Sequence, residues 1–278
     1  MPFLAIVLAL LVYQWRGSLP RLQRDEWYRD WVERVRTGGL WFAHGHGRLL
    51  VSLGVPVVGL ALALHWFGDG LFGLVALTLN LLVLFYAFGR CNLRQQVGKL
   101  RADLDRGDLQ AAYHDAANFN PQRREGLAED AHSLGGEIVE YLSYRYLERH
   151  FAVIFWFVLA GAPGALLYRL VAIDQPLDAA EVARQARWLR LLEWLPVRLL
   201  GFALALAGNF RACFDQWLNL LFGAQTSSEL LRAYVPAALA EERVGDTLNS
   251  AGIYRIEALF FRALLCWLVV IALAVIFV

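Results

Sequence analysis

Residues 156–171 read WFVLAGAPGALLYRLV, and this stretch decides how the fold is interpreted. It lies inside an apolar run in which Arg169 is the only charged residue, and the run is long enough to cross a bilayer as a helix. Gly161, Pro163 and Gly164 in its middle predict an interruption of that helix at membrane depth. Neighbouring helices must cover the backbone groups that such a break leaves free. We therefore expect the break to lie in the packing centre of a helical bundle.

The composition is that of an integral membrane protein. Of the 278 residues, 58% are hydrophobic and the mean hydropathy is +0.44, whereas soluble domains are about 45–50% apolar. The predicted fold class is all-α, a polytopic transmembrane helical bundle with amphipathic cytoplasmic helices, forming a single membrane domain over residues 1–278. The six predicted transmembrane segments are 2–15, 49–67, 71–88, 151–171, 192–210 and 259–278.

The charge and cysteine content exclude several classes of partner. The net charge is only +1, which argues against nucleic acid and leaves the lipid bilayer as the first predicted partner. The first segment is interpreted as an uncleaved membrane helix, because its basic residues follow the apolar stretch instead of preceding it. The three cysteines lie far apart and form no disulfide or metal-binding pattern, so we predict neither a metal nor another cofactor.

The distribution of lysine and arginine predicts an orientation in the membrane. The long polar segments 16–48, 89–150 and 211–258 together hold 20 of these residues, whereas residues 172–191 hold three. Because positive charge marks the cytoplasmic side, the three long segments are predicted to be cytoplasmic. If all six apolar segments cross, residues 172–191 lie on the opposite side.

The polar segments show helical patterns. Apolar residues recur at helical spacing over residues 93–104 and predict a helix that ends near Gly107. A second stripe, over residues 127–142, continues without a break into the fourth apolar segment and predicts one long helix. The sequence TSSE at residues 226–229 is a capping-box pattern that predicts the start of a helix. Residues 178–191 read as an amphipathic helix.

Few patterns in the chain carry obvious chemistry. Phosphate-binding glycine loops, a serine nucleophile elbow and the HExxH zinc motif do not occur in the sequence. Glu137 and Glu140 lie three residues apart on one helix face, where carboxylates can hold Mg²⁺ or act as acid and base. The solvated face of an amphipathic helix is the favoured alternative. His44 and His46 flank a glycine and are interpreted as a turn rather than a metal site.

Two arginines within the apolar segments are the more informative charges. An arginine inside a membrane span is costly and normally faces a partner or a cavity. Arg169 lies near one end of its segment, and Arg198 follows a proline at position 196. For both, snorkelling towards water and membership of a buried polar network remain open. Arg262 is interpreted as snorkelling.

The apolar stretches FWFVLAGAPGALLYR, at residues 155–169, and EWLPVRLLGFALALAG, at residues 193–208, resemble the AmpE family of Gram-negative inner-membrane proteins. The resemblance covers nearly the whole chain. It implies a multi-pass protein of the bacterial inner membrane, associated with regulation of β-lactamase and with the response to β-lactam antibiotics. The family is usually encoded beside an amidase that recycles cell-wall muropeptides. The resemblance does not supply a molecular activity.

AmpE is in turn similar to the CobD/CbiB family, membrane enzymes of cobalamin synthesis that attach aminopropanol to cobyric acid. Their motif E-x-x-A-E-N-x-x-D-G precedes a similar Gly-Ala-Pro-Gly segment. Glu140 matches the first glutamate, Glu148 stands at the aspartate, and Asp174 stands for the aspartate of a later pattern, Y-R-A-V-N-T-L-D. The other motif positions hold Ser143, Tyr144, Arg145 and Arg149. The resemblance therefore implies a shared scaffold without the ligase chemistry.

Three functions follow from these observations. The favoured one is a non-catalytic regulator of the AmpE type, whose cytoplasmic helices bind a cytoplasmic protein or a cell-wall-derived ligand. The alternatives are a divergent CobD/CbiB-like amide synthase and a transporter of a cell-wall fragment, the latter disfavoured because the spans show no inverted repeat. The candidate ligand- or partner-binding residues are Glu137, Glu140, Glu148, Arg169, Asp174 and Arg198.

Overall fold

The computed structural model describes residues 2–16, 24–38, 46–66, 73–89, 93–117, 119, 131–240 and 249–277. Every regular element among these residues is helical, which confirms the predicted all-α fold class. A π-helical turn, Leu147–Phe151, joins the seventh and eighth α-helices. The α-helices are α1 (Pro2–Arg16), α2 (Glu26–Thr37), α3 (His46–Trp66), α4 (Gly73–Ala87), α5 (Leu93–Asp105), α6 (Leu109–Ala117), α7 (Ala131–Tyr146), α8 (Ala152–Ile173), α9 (Ala179–Ala207), α10 (Phe210–Leu220), α11 (Ser227–Leu239) and α12 (Ser250–Phe277).

The described helices group into two compact units. The single membrane domain over residues 1–278 stays a prediction. Unit 1 consists of residues 1–91 and 152–192, and unit 2 of residues 92–151 and 193–278. In unit 1, α8 packs against α1, α3 and α4, and α2 packs against α3. In unit 2, α7 packs against α6 and α11, α11 packs against α10, and α12 packs against α5. The helix with the Gly-Ala-Pro-Gly stretch is thus the central helix of unit 1.

Several helices are apolar enough to contact a bilayer. Among the described residues, helical stretches of sufficient length and hydropathy to cross a membrane are 47–66, 134–173 and 250–277. Shorter apolar stretches are 3–13 and 73–87. Val58 and Leu62 of α3 and Val269 and Val270 of α12 are all more than half exposed on the protein surface. The chain is therefore a helical membrane protein with apolar helix faces exposed on its surface.

The fourth apolar segment is two helical pieces joined by a break. Ala160 (φ −130°, ψ 15°) and Gly161 (φ 68°, ψ −162°) leave the helical region, and the angles of Gly161 are accessible essentially to glycine alone. Pro163 falls in the first turn of the second piece, where its missing N–H costs little. A Cβ atom on Gly164 would lie 2.5 Å from the carbonyl oxygen of Trp156, so the two pieces approach too closely for a side chain.

The proline within α3 frees a carbonyl group that a tryptophan binds. Pro56 has no N–H, so the helix cannot bond the carbonyl oxygen of Ser52, four residues earlier. The indole Nε1 of Trp31, in α2, donates to that oxygen over 3.2 Å. This bond explains how α3 carries a proline in an apolar helix, and it fixes α2 against α3.

Helix α9 shows the same arrangement of a proline and a tryptophan. Pro196 leaves the carbonyl oxygen of Leu192 without its helical donor, and Nε1 of Trp156, in α8, donates to it over 3.0 Å. The predicted segment 192–210 thus forms the second part of a longer helix. The predicted amphipathic helix over residues 178–191 forms the first part of the same helix.

Trp156→Phe should destabilise the protein by about 1–3 kcal/mol, because it leaves the Leu192 carbonyl without a donor in apolar surroundings. Pro196→Ala restores a backbone N–H that can take over this carbonyl. The cost of Trp156→Phe should therefore fall in the Pro196→Ala background. Free energies of unfolding of the four proteins in a double-mutant cycle measure this coupling. Strictly additive effects would show that the indole bond contributes nothing.

Helix boundaries in unit 2 follow the sequence patterns. The hydroxyl of Thr226 accepts a hydrogen bond from the Glu229 amide over 3.4 Å, and the Glu229 carboxylate accepts one from the Thr226 amide over 2.8 Å. This reciprocal pair confirms the predicted capping box at the start of α11. The helix predicted to end near Gly107 is α5, which ends at Asp105. Pro236 lies inside α11, which continues to Leu239.

Candidate functional site

A buried arginine at the start of α3 binds two carboxylates in unit 1. Arg48 is 1% exposed, and its two terminal nitrogens donate to the two carboxylate oxygens of Asp174 over 3.2 and 2.9 Å. Its Nε lies 2.8 Å from Oε1 of Glu181 in α9, whose other oxygen lies 3.3 Å from Arg36 of α2. Both acids are less than a tenth exposed. The negative charge of Asp174 is therefore compensated by Arg48, and that of Glu181 by Arg48 and Arg36.

Further polar contacts fix the chain where α8 ends. Arg36 donates to the carbonyl oxygen of Gln175 over 2.8 Å. The side-chain amide of Gln185, in α9, donates to the carbonyl oxygens of Val171 and Asp174 over 2.9 and 2.8 Å. The last carbonyls of a helix have no helical N–H partner, so these bonds complete the end of α8. Residues of α2, α3, α8 and α9 thus meet in one network, which we call the Arg48 network.

A tyrosine from α2 completes the Arg48 network. Tyr28 is 1% exposed, and its hydroxyl lies 3.4 Å from Oδ1 of Asp174, to which it donates. Burial, followed by the negative charge of Asp174, raises the pKa of the Tyr28 hydroxyl well above its ordinary value. Tyr28 therefore stays a neutral donor throughout the physiological pH range.

Arg169 also pairs within unit 1. Its Nη2 lies 3.3 Å from Oδ2 of Asp25, just before α2, and the side chain is largely buried. Gly89 passes beside the guanidinium with φ +83°, and a Cβ atom at this position would lie 3.4 Å from Nη1 of Arg169. Of the two interpretations of Arg169, the structure shows the buried polar network.

The Arg48 network joins two segments that the predicted orientation separates. If all six apolar segments cross, the lysine and arginine count places residues 16–48 and 172–191 on opposite sides of the membrane. In the structure, Arg36 and Arg48 directly contact residues 174–181, so described residues of both segments lie together in unit 1. The side of the membrane on which each segment lies stays a prediction.

A second polar cluster surrounds the π-helical turn in unit 2. Arg145 donates from Nη1 to Oε2 of Glu148 over 2.6 Å and from Nε to the carbonyl oxygen of Phe119 over 3.0 Å. The hydroxyl of Tyr144 donates to Oε1 of Glu193 over 2.8 Å. Glu148 and Glu193 are both less than a tenth exposed. π-Helical turns are frequent at functional sites, and this one contains Glu148 and Arg149, the last two positions of the CobD-like motif.

The remaining acidic candidates do not join this cluster in a metal-binding arrangement. Glu140 lies 3.5 Å from Arg232, an exposed side chain, so this pair contributes little to stability. Glu137 lies one turn earlier on α7 and is partly buried. Within the described ranges, no three histidine, cysteine, aspartate or glutamate side chains are grouped as metal ligands. His44 and the side chain of His46 lie outside the described residues.

Arg198 has a clear structural partner in unit 2. Its Nε donates to the carbonyl oxygen of Leu221, and its Nη2 donates to that of Gly223 over 3.0 Å. Its Nη1 donates to the carbonyl oxygen of Trp194 over 2.9 Å, and its guanidinium lies 4.3 Å from the centre of that indole. Arg198 therefore binds the carbonyl groups at the end of α10 instead of reaching water.

Sequence reasoning missed most members of the Arg48 network. Asp174 was a candidate through the resemblance, whereas Tyr28, Arg36, Arg48 and Glu181 were not. Arg48 directly precedes the apolar segment 49–67, so its charge was assigned to a cytoplasmic loop. Its contacts with α8 and α9 span more than 120 residues of sequence, and no local pattern records them.

These features define the class of the protein. It is an all-α membrane protein in which Arg48, Arg169 and Arg198 are bound by carboxylates or carbonyl groups of the same chain. A family model described as "Regulatory signalling modulator protein AmpE" matches residues 47–278. The chain belongs to the AmpE family, which confirms the resemblance seen in the sequence.

Two curated relatives are named cobalamin biosynthesis protein CobD. The protein from Stutzerimonas stutzeri is 34% identical over 119 residues, covering 38% of this chain and 36% of that protein. The protein from Chromobacterium violaceum is 29% identical over 145 residues, covering 49% of this chain and 45% of that protein. The matched region thus spans less than half the length of either relative. No solved structure matches the chain.

Proposed function

We propose that this protein is a multi-pass regulator of the bacterial inner membrane that modulates β-lactamase induction during β-lactam or cell-wall stress. It acts by binding a cytoplasmic protein or a cell-wall-derived ligand and catalyses no reaction. The observation that carries the proposal is the family match over residues 47–278, whose description names regulatory signalling. The link to β-lactamase comes from the family resemblance.

The pairing of the CobD-like carboxylates supports a non-catalytic role. A ligase needs carboxylates that are free to bind a metal–nucleotide complex or to take up a proton. Here each corresponding carboxylate faces a guanidinium group of the same chain, which stands where a metal ion or a substrate would have to bind. The pairs are Glu140 with Arg232 (3.5 Å), Glu148 with Arg145 (2.6 Å) and Asp174 with Arg48 (2.9 Å).

The proposal is tested by deleting the gene in its host. β-Lactamase activity is measured before and after exposure to an inducing β-lactam, and again with a wild-type copy restored on a plasmid. We expect the deletion to change the induced activity and the restored copy to return it to the wild-type value. An unchanged induction ratio in the deletion strain would contradict the proposed regulatory role.

The similarity to two CobD proteins makes a divergent amide synthase of cobalamin synthesis the second candidate. This candidate predicts that the chain restores cobalamin-dependent growth to a strain that lacks its own CobD. It also predicts that Glu148→Gln abolishes that growth while the protein level stays constant. The regulator proposal predicts no growth with either form. Growth with the wild-type chain but not with Glu148→Gln would therefore support the amide synthase.

A further inference from the structure

Helix α10 has two faces of opposite character. Its apolar residues recur at intervals of three and four, which places them on one side of the helix. This apolar face consists of Phe210, Cys213, Phe214, Trp217, Leu218 and the following Leu221. The polar face consists of Arg211, Asp215, Gln216 and Asn219.

One flank of the apolar face packs within unit 2, and the other does not. Cys213 is fully buried, with Sγ 3.7 Å from the carbonyl oxygen of Gly201 and 3.6 Å from that of Tyr234. On the other flank, Phe210 and Leu218 are 48% and 50% exposed. The next aromatic residue, Phe222, is 87% exposed. Such an apolar flank is costly in water and indicates a partner of low polarity.

The exposed flank continues onto α9. The ring of Phe202 lies 5.6 Å from that of Trp217 and 6.3 Å from that of Phe214, which in turn stacks on Phe210 at 5.0 Å. Phe202 belongs to an exposed apolar stripe on α9, spaced at intervals of three and four residues. This stripe consists of Leu195, Leu199, Phe202 and Leu206. The surface therefore joins a helix of the predicted span 192–210 to the helix that follows it.

Both ends of α10 are closed by side chains of the protein. The side chain of Asn209 accepts a hydrogen bond from the Ala212 amide at the start. At the end, the guanidinium of Arg198 binds the carbonyl groups of Leu221 and Gly223. In water such end groups are readily hydrated, whereas near hydrocarbon they need partners from the protein. The bonds at the Ala212 amide and at the carbonyl groups of Leu221 and Gly223 are thus of the kind that a helix beside hydrocarbon needs.

We propose that α10 lies along the membrane–water boundary, with the flank formed by Phe210, Phe214 and Leu218 among the lipid acyl chains. Its polar face then points to water. With 11 residues the helix is about 16 Å long, too short to cross a bilayer but typical of a helix lying in its surface. The stacked aromatic rings suit this boundary, where one side of a ring is apolar and the other wet. Lipid is the chosen partner because the exposed flank continues along the apolar stripe of α9.

The test compares two single cysteines on opposite faces of α10. The native cysteines Cys91, Cys213 and Cys266 are replaced, and Leu218→Cys and Asp215→Cys are each labelled with a nitroxide. The proteins are reconstituted into vesicles of phosphatidylethanolamine and phosphatidylglycerol. Collision rates of each label with oxygen, which concentrates in the acyl region, and with a water-soluble nickel chelate are then measured by electron paramagnetic resonance.

We expect oxygen collisions to exceed nickel collisions several-fold at position 218 and the order to reverse at position 215. Phe222→Cys serves as a second reporter of the apolar side, should Leu218→Cys fail to fold. Greater access of nickel than oxygen at positions 218 and 222 would show a water-exposed surface and overturn the proposal. Exclusion of both reagents there, with spin–spin broadening, would show that a second copy of the chain covers the flank, which overturns it as well.

Discussion

Arg48→Ala is expected to lower the free energy of unfolding by about 3–5 kcal/mol, the cost of removing one partner from a buried ion pair. The substitution leaves Asp174 and Glu181 without the guanidinium that binds both, and in the wild-type structure both carboxylates are less than a tenth exposed. Since Arg36 still contacts Glu181, Asp174 carries most of the loss. Unfolding by titration with sodium dodecyl sulfate in lipid–detergent micelles, followed by circular dichroism, measures the change.

Arg34→Ala is the matched control for this experiment. Arg34 is an exposed arginine of α2 for which the structure shows no ion pair among the described residues. Its removal should change the free energy of unfolding by less than about 0.5 kcal/mol. Equal effects of Arg48→Ala and Arg34→Ala would contradict the Arg48 network.

Gly164→Ala is expected to destabilise the protein by at least about 1–3 kcal/mol, because the new methyl group has no space. It would lie 2.5 Å from the carbonyl oxygen of Trp156 and 2.7 Å from Cβ of Ala160. The first contact is with backbone, so relief requires the two pieces of α8 to move apart. That movement also disturbs the bond between Trp156 and Leu192. The midpoint of thermal unfolding in micelles, followed by tryptophan fluorescence, measures the loss.

Gly59→Ala provides a control with the opposite expected sign. Gly59 lies inside α3, and a Cβ atom built on it meets nothing within 4 Å. Alanine favours a helix over glycine by up to about 1 kcal/mol, so this variant should be as stable as the wild type or slightly more stable. If Gly164→Ala behaved like Gly59→Ala, residues 160–164 would not form the close break described for α8.

The break in α8 could be predicted from sequence because its cause is local. Glycine and proline act on the backbone where they stand, and Gly161, Pro163 and Gly164 mark the interruption within one or two residues. The capping box of α11 and the extent of α5 were predictable for the same reason. Features that depend on neighbouring residues along the chain could therefore be predicted from the sequence.

The Arg48 network could not be predicted because it joins distant parts of the chain. Arg48 and Asp174 are 126 residues apart, and each occurs in a segment that reads as an ordinary polar connection. The lysine and arginine count did not anticipate these contacts. It treats every loop charge as solvated, whereas Arg36 and Arg48 are held by carboxylates and carbonyl groups of the fold. Charge compensation inside the protein thus concealed the network.

The partners of the two arginines within the predicted spans also depended on tertiary structure. Pro196 predicted a disturbed helix near Arg198, but the carbonyl groups that this arginine binds belong to residues after α10. Arg169 similarly pairs with Asp25, from the polar segment before α2. The sequence showed that each arginine needs a partner, and the fold supplied its identity.

The CobD-like carboxylates are proposed to be non-catalytic, and Glu140 tests this most directly. Its pair with the exposed Arg232 contributes little to stability, so Glu140→Ala should fold and accumulate normally. β-Lactamase induction is measured in the deletion strain carrying either the wild-type or the Glu140→Ala copy, with protein levels compared by immunoblot. Both copies are expected to restore the same induction ratio. Loss of induction control by Glu140→Ala at a normal protein level would contradict it and indicate that this carboxylate takes a direct part in function.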